Sequence, residues 1–191
     1  MWHERILRRE LWILSDLGRY DERIQAAAKI RRLYDPDFFA ADVWPHMKKA
    51  EVERAREAAA RAMATGDPYE EVVALNGLCA IDGLEACEKL VDAVEAYGVA
   101  PGLALRNLAV AAASVGQYER AERLLLRAAE HPTTESNPWS LLTDLYLEEA
   151  RFAEAAEAAR EMVEYARHMP PRERQHARAG ELSVSAALLL L

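Results

Sequence analysis

The chain has 191 residues, 51% of them hydrophobic, and a formal net charge of −8. With 29% charged residues and only 8 Gly and 8 Pro it is no disordered chain, and no apolar run reaches the 18 or so residues that a membrane span needs. Residues 1–60 hold 12 basic and 11 acidic residues, 61–115 hold 3 and 8, and 116–191 hold 9 and 13, so the later part is acidic and lacks the basic stripe of a nucleic-acid binder.

In chain order, Met1-Trp2-His3-Glu4-Arg5 lacks the apolar stretch and cleavage site of a secretory signal, which gives the expectation of a cytoplasmic protein. Trp2, Ile6, Leu7, Leu11, Trp12, Leu14 and Leu17 recur at steps of three and four and predict a helix over 2–17 that stops at Gly18. A second helix is expected over Tyr20–Leu33, and Asp35-Pro36-Asp37 breaks the chain. Residues 1–36 therefore read as a divergent helical hairpin. In residues 37–66, Phe38–Trp44 suits a short helix, and Pro45 sits at the first turn of a longer one running to about Ala64. A shortened repeat and one long bridging helix both satisfy this spacing.

From Thr65-Gly66-Asp67-Pro68 onward an internal repeat sets the register. Gly116-Gln117-Tyr118-Glu119-Arg120-Ala121 returns 34 residues later as Ala150-Arg151-Phe152-Ala153-Glu154-Ala155, and Asp82-Gly83-Leu84-Glu85-Ala86-Cys87 is a weaker copy one period earlier. Inner helices are expected at Tyr69–Ala80, Leu103–Ser114 and Asn137–Glu149, and outer helices at Leu84–Ala96, Tyr118–Glu130 and Phe152–Arg167. Small residues at Ala109, Ala121 and Ala155 would let backbones approach, with Trp139, Tyr118 and Phe152 filling the gaps beside them. Cys79 and Cys87 fall on different helices with no Cys-x-x-Cys, so neither a disulfide nor a zinc site is expected. A last helix from Arg172 should cap the stack, ending on the apolar Leu188, Leu189, Leu190 and Leu191.

Trp139-x-x-Leu142 with Tyr146, Ala150, Phe152 and Ala155 resembles a tetratricopeptide repeat, as does Leu105-x-x-Leu108 with Gly116, Tyr118 and Ala121. Thr143 and Ala109 depart from the small Gly of that pattern, and Pro132 comes one residue early. The resemblance implies an all-α, right-handed α-α superhelix, or solenoid, of helical hairpins: repeats at about 68–101, 102–135 and 136–168, then a capping helix over 169–191. Tyr97-Gly98-Val99-Ala100-Pro101 also resembles the inter-repeat loop of pentatricopeptide RNA binders, against which the acidic charge argues.

Catalytic chemistry finds no residues: there is no Gly-x-Ser-x-Gly, no His-Glu-x-x-His and no phosphate-cradling glycine loop. Glu173 and His176 share metal-ligand spacing but lack a second copy, so no metal or other cofactor is expected. In stacked hairpins the inner helices line a concave groove, which here places Val72, Asn76, Cys79, Arg106, Asn107, Val110, Ala113, Ser140, Asp144 and Leu147 on it. Asn76 and Asn107 stand where carboxylate-clamp members of the family place two Asn. The clamp's cations are replaced by Val72, Asn137 and Leu141, so a chaperone C-terminal carboxylate is not the expected ligand. The expected function is a non-enzymatic scaffold or adaptor that binds a peptide or helix of another protein. The alternative is a module that forms homo-oligomers or a longer array through Leu188–Leu191.

Overall fold

The computed structural model describes residues 2–99, 101–131 and 137–167, and among these there is no strand. The expected capping helix, its leucine tail, Glu173 and His176 lie outside the described residues. The chain divides into two units, Met1–Tyr97 and Gly98–Leu191.

In the first unit, α1 (Trp2–Asp16) pairs with α2 (Tyr20–Leu33). Leu7, Leu11 and Leu14, spaced by four and three, bury against Ala26, Ala27 and Ile30, and Phe38 and Ala41 close the cluster. The apolar face of α1 is narrower than expected, because Ile6, Trp12 and Leu17 point to solvent. Beyond α2 come a 3-10 turn (Ala40–Asp42), α3 (Val43–Lys48) and α4 (Val52–Ala64). The long helix expected from Pro45 is thus two helices, broken at Ala50, whose φ is 59°. Ala50 N–H donates to the Met47 carbonyl at 2.9 Å and Glu51 N–H to the His46 carbonyl at 2.8 Å, the pair of bonds that closes a helix end through a left-handed residue. Folding back is favoured because it lays the alanine stripe of α4 (Ala55, Ala58, Ala59, Ala62) into one cluster with Val43 and Ala74. That burial outweighs the roughly 1–2 kcal/mol that a left-handed Ala costs.

Ala50 belongs to a series. Gly18, Ala50, Gly83, Gly116 and Ala150 all have positive φ, at intervals of 32, 33, 33 and 34 residues. At four of them the same bond spans the turn: Arg19 N–H to the Leu14 carbonyl, Glu51 to His46, Gln117 to Ala112 and Arg151 to Tyr146. Residues 37–66 are therefore a shortened hairpin. Ala50→Gly should stabilise the chain by about 0.5–1 kcal/mol, the steric relief less the extra freedom of the unfolded glycine. A urea titration would show this as a raised midpoint, and an unchanged or lowered one would contradict the left-handed assignment.

The first unit closes with α5 (Pro68–Asp82) and α6 (Leu84–Ala96). Asp67 caps α5 by accepting from Tyr69 N–H at 2.8 Å and Glu70 N–H at 3.0 Å, with Pro68 in the first turn. Gly77 is where α3 presses on α5, since a Cβ there would overlap Val43 Cγ1. Against expectation, Cys79 and Cys87 form a disulfide, with Cα atoms 4.5 Å apart. They lie four residues before and four after Gly83, so an antiparallel hairpin turning at Gly83 sets them face to face. Alkylation of the denatured, unreduced chain should find neither thiol. Reduction should cost about 2–3 kcal/mol, from the loop-closure entropy of a short loop, read as a lowered Tm.

The second unit holds α7 (Gly102–Ser114) paired with α8 (Tyr118–Ala129), and α9 (Pro138–Glu148) paired with α10 (Phe152–Arg167), with α9 also against α8. Ala109, Ala112, Ala121 and Ala155 are buried as close packing requires, beside Leu105 and Leu142. Tyr118 and Phe152, expected to fill gaps between helices, do so only in part and stay 38% and 40% exposed, because they open the first turn of their helices at the hairpin's end. Buried Thr143, in place of the family's Gly, satisfies its hydroxyl on the Trp139 carbonyl at 2.9 Å. Glu122 of α8 accepts from Tyr146 Oη at 2.9 Å and from Arg151 at 2.8 and 3.0 Å, which ties α8 to the α9–α10 turn. Burial, then the hydrogen bond to Glu122, pushes the Tyr146 phenol up to about 12.

Candidate functional site

Of the residues expected on the groove, Arg106, Asn107 and Val110 share one stripe of α7, and Ser140, Asp144 and Leu147 share one stripe of α9. All six are partly or fully exposed, as are Val72 and Asn76 on α5 of the first unit. Cys79 is not on that surface: it is buried and bonded to α6. Ser140 Oγ turns back to donate to the Asn137 carbonyl at 2.8 Å. Arg106 Nη1 donates to Asn107 Oδ1 at 3.1 Å, so these neighbours act together.

Arg106 is distinctive. Its Nε is buried without a hydrogen-bond partner among the described residues. Burial pushes its guanidinium below the ordinary arginine value, and among the described residues no carboxylate offsets that shift. A half-desolvated cation lacking a counter-charge favours an anionic or strongly accepting group brought by something else.

The shortened hairpin carries a second polar arrangement, which the sequence reading missed. Glu70, only 5% exposed, accepts from Phe39 N–H at 2.8 Å and Ala40 N–H at 2.7 Å. Asp42, 8% exposed, pairs with Arg31 Nη1 at 2.7 Å through Oδ2, while its Oδ1 has no hydrogen-bond partner among the described residues. Arg31 also donates to the Phe38 carbonyl at 2.8 Å, and Arg23 to the Ala41 carbonyl. Burial raises both carboxyls, against the hydrogen bonds at Glu70 and against Arg31 at Asp42. Between the 3-10 turn, α3 and α4 lies a cavity of about 160 Å³, lined by Phe39, Asp42, His46, Arg54, Glu57, Ala58 and Arg61. Its signal in the sequence was an acid at Asp42 inside the otherwise apolar run Phe38–Trp44.

No protein-family model matches the sequence, and no curated protein does. Solved structures do. The chain is similar to TTC0263, a thermophilic TPR protein of Thermus thermophilus, at a TM-score of 0.61 and 22% identity, over 94% of this chain and 99% of that one. The chain has the tetratricopeptide-repeat fold. It is also similar to BtubC (BKLC) from P. vanneervenii, at a TM-score of 0.59 and 15% identity, over 96% of this chain and 87% of that one. Within this all-α, solenoid-type tetratricopeptide-repeat fold, Asn137 serves as a helix cap, accepting from Trp139 N–H at 3.1 Å and donating to the Met162 carbonyl at 3.2 Å. An amide so engaged at both ends holds α9 against α10. Among the described residues no group of His, Cys, Asp or Glu is arranged to hold a metal ion, and no helix is long and apolar enough to cross a membrane.

Proposed function

We propose that the chain is a non-enzymatic scaffold that binds a peptide or helix of a partner protein on its inner helices, with Arg106 as the anchoring cation. What carries this reading is the uncompensated Arg106 guanidinium on the exposed stripe of α7. Asn107 holds that guanidinium in place, and Val110, one turn on, offers apolar contact beside it. Ser140, Asp144 and Leu147 on α9 extend the proposed surface within the second unit, and Val72 and Asn76 on α5 are the corresponding positions of the first. Tetratricopeptide-repeat folds in general serve protein interaction, which supports the reading at the level of the fold.

Arg106→Ala combined with Asn107→Ala should abolish or weaken partner capture at least tenfold while the helical circular dichroism stays unchanged. Affinity capture with the wild-type and double-variant chains as bait checks this. Capture that is indifferent to both substitutions, or capture of RNA in place of protein, would sink the assignment. A second reading, assembly through the ends of the chain, is favoured by the exposed apolar residues Ile6 and Ile13 on α1 and Leu17 in the turn after it. Sedimentation at micromolar concentration separates the two, since a monomer counts against assembly.

A further inference from the structure

In the first unit the inner helices carry two exposed indoles. Trp12 of α1 and Trp44 of α3 each stand six residues before a left-handed turn residue, Gly18 and Ala50, and are 71% and 42% exposed. Val110 has the same register before Gly116, on the stripe of α7 assigned above to the binding surface. In stacked hairpins, positions equivalent by the repeat line one face. A direct link agrees: Arg23 of α2 donates to the Leu11 carbonyl at 3.3 Å and to the Ala41 carbonyl, so the middle of α1 and the entry to α3 lie one guanidinium apart. The hairpin cores do not use these indoles, since Leu7, Leu11 and Leu14 fill that role on α1 and Val43 on α3. Covering an exposed indole removes much apolar surface from water, which is why Trp is enriched among the residues that dominate interfaces.

The charges beside the indoles are mostly positive. Lys48 Nζ stands 4.4 Å from the centre of the Trp44 ring. Arg5 and Arg9, seven and three residues before Trp12, share its side of α1. All three cations are exposed, and none is in an ion pair among the described residues. Arg8, four residues before Trp12, is matched by Glu4 at 3.1 Å and Asp35 at 2.8 Å. Asp16, four residues after Trp12, is the acid on that side of α1. We propose that Trp12 and Trp44 form a platform for an acidic segment of a partner protein, whose apolar side chains lie on the indoles while its carboxylates meet Arg5, Arg9 and Lys48. This rests on the reading that the inner helices carry the binding surface, and it names the chemistry of the partner at the first unit. Bases of a nucleic acid could also stack on indoles, but every nucleotide brings a phosphate against a net charge of −8, whereas a peptide places carboxylates only opposite the cations.

The test is a titration of the isotope-labelled full chain followed at its indole N–H signals. The probe is the blocked peptide Glu-Leu-Asp-Glu-Leu-Asp. Its controls are the same peptide with Ser for Leu, the same with Lys for both acids, and an octauridylate. The probe should shift the Trp12 and Trp44 signals saturably, with a Kd of about 1 mM or tighter, while Trp139 on α9 of the second unit stays in place. Added salt should weaken binding severalfold. Trp12→Ala should weaken it severalfold and Arg5→Gln with Lys48→Gln at least tenfold; these side chains are exposed, and an unchanged circular dichroism spectrum verifies the fold. Arg106→Ala with Asn107→Ala should leave the shifts as they are, so this platform and the surface of the second unit fail separately. No saturable shift, an equal response to the serine or lysine control, tighter binding of octauridylate, loss in the Arg106 variant, or an affinity indifferent to the substitutions at the platform would overturn it.

Discussion

Glu70→Ala should destabilise the first unit by about 1–3 kcal/mol, because it leaves the buried N–H of Ala40 without its acceptor, while Phe39 N–H keeps the Asp37 carbonyl at 2.8 Å. A single carboxylate oxygen of α5 holds the entry to the shortened hairpin. Hydrogen exchange should show the loss locally, with residues 38–48 exchanging faster, and urea unfolding should show it as a lowered midpoint. Glu70→Gln keeps an acceptor oxygen and should cost clearly less. If the Ala and Gln variants are equally stable, the two hydrogen bonds do not carry this load.

The same carboxyl gives a pH dependence with a definite sign. Burial raises Glu70, so the folded chain binds that proton before the unfolded chain does. Between the ordinary carboxylate value and the raised one the folded state holds more protons, and stability from this group therefore rises as pH falls and is lost as pH rises through the raised value. Asp42 acts in the same direction. Glu51 opposes them: its hydrogen bonds to His46 and Lys49 hold it at about 2, so its contribution is present above its ordinary value and lost as pH falls through about 2. Wild type should accordingly gain on Glu70→Gln as pH falls from neutrality toward the ordinary carboxylate range. A gap in Tm that does not change with pH contradicts the desolvation of Glu70.

Leu142→Ala should cost about 2–5 kcal/mol in the second unit, the range for removing a fully buried leucine and leaving a cavity. Leu142 has 0% exposure on α9, which packs against both α8 and α10, and so cannot be closed over by a single neighbour shifting. Leu141, the adjacent residue on the same helix, is only partly buried, and its replacement by Ala should cost less than half as much. Urea unfolding of both variants makes the comparison, and equal losses would contradict the assigned helix face.

Much of this fold is written locally. Gly116-Gln117-Tyr118 and Ala150-Arg151-Phe152 mark their turns, Asp67-Pro68 and Asn137-Pro138 mark helix starts, and the helices from residue 68 onward lie within about two residues of where periodicity puts them. The break at Ala50 was less legible, since Ala is an excellent helix former and the chain runs on in Ala, Glu and Arg. The clue was there, because Ala50-Glu51-Val52 with Ala55 repeats the pattern of Ala150-Arg151-Phe152 with Ala155. The candidate surface was legible as a list of inner-helix positions, but not the state of each: Cys79 is bonded to α6, and Arg106 has a buried Nε without a hydrogen-bond partner among the described residues.

The sequence by itself determined the helices, most of their caps and the period of the repeat, because these rest on contacts within a few residues. Tertiary structure decided the rest. Whether a left-handed Ala is tolerated at residue 50 depends on the alanine face of α4 finding Val43 and Ala74. Whether two cysteines meet depends on a hairpin turning midway between them, and whether Glu70 and Asp42 are surface acids or buried ones depends on which helices close over them. Burial and long-range partners set those energies, and no local pattern of residues encodes them.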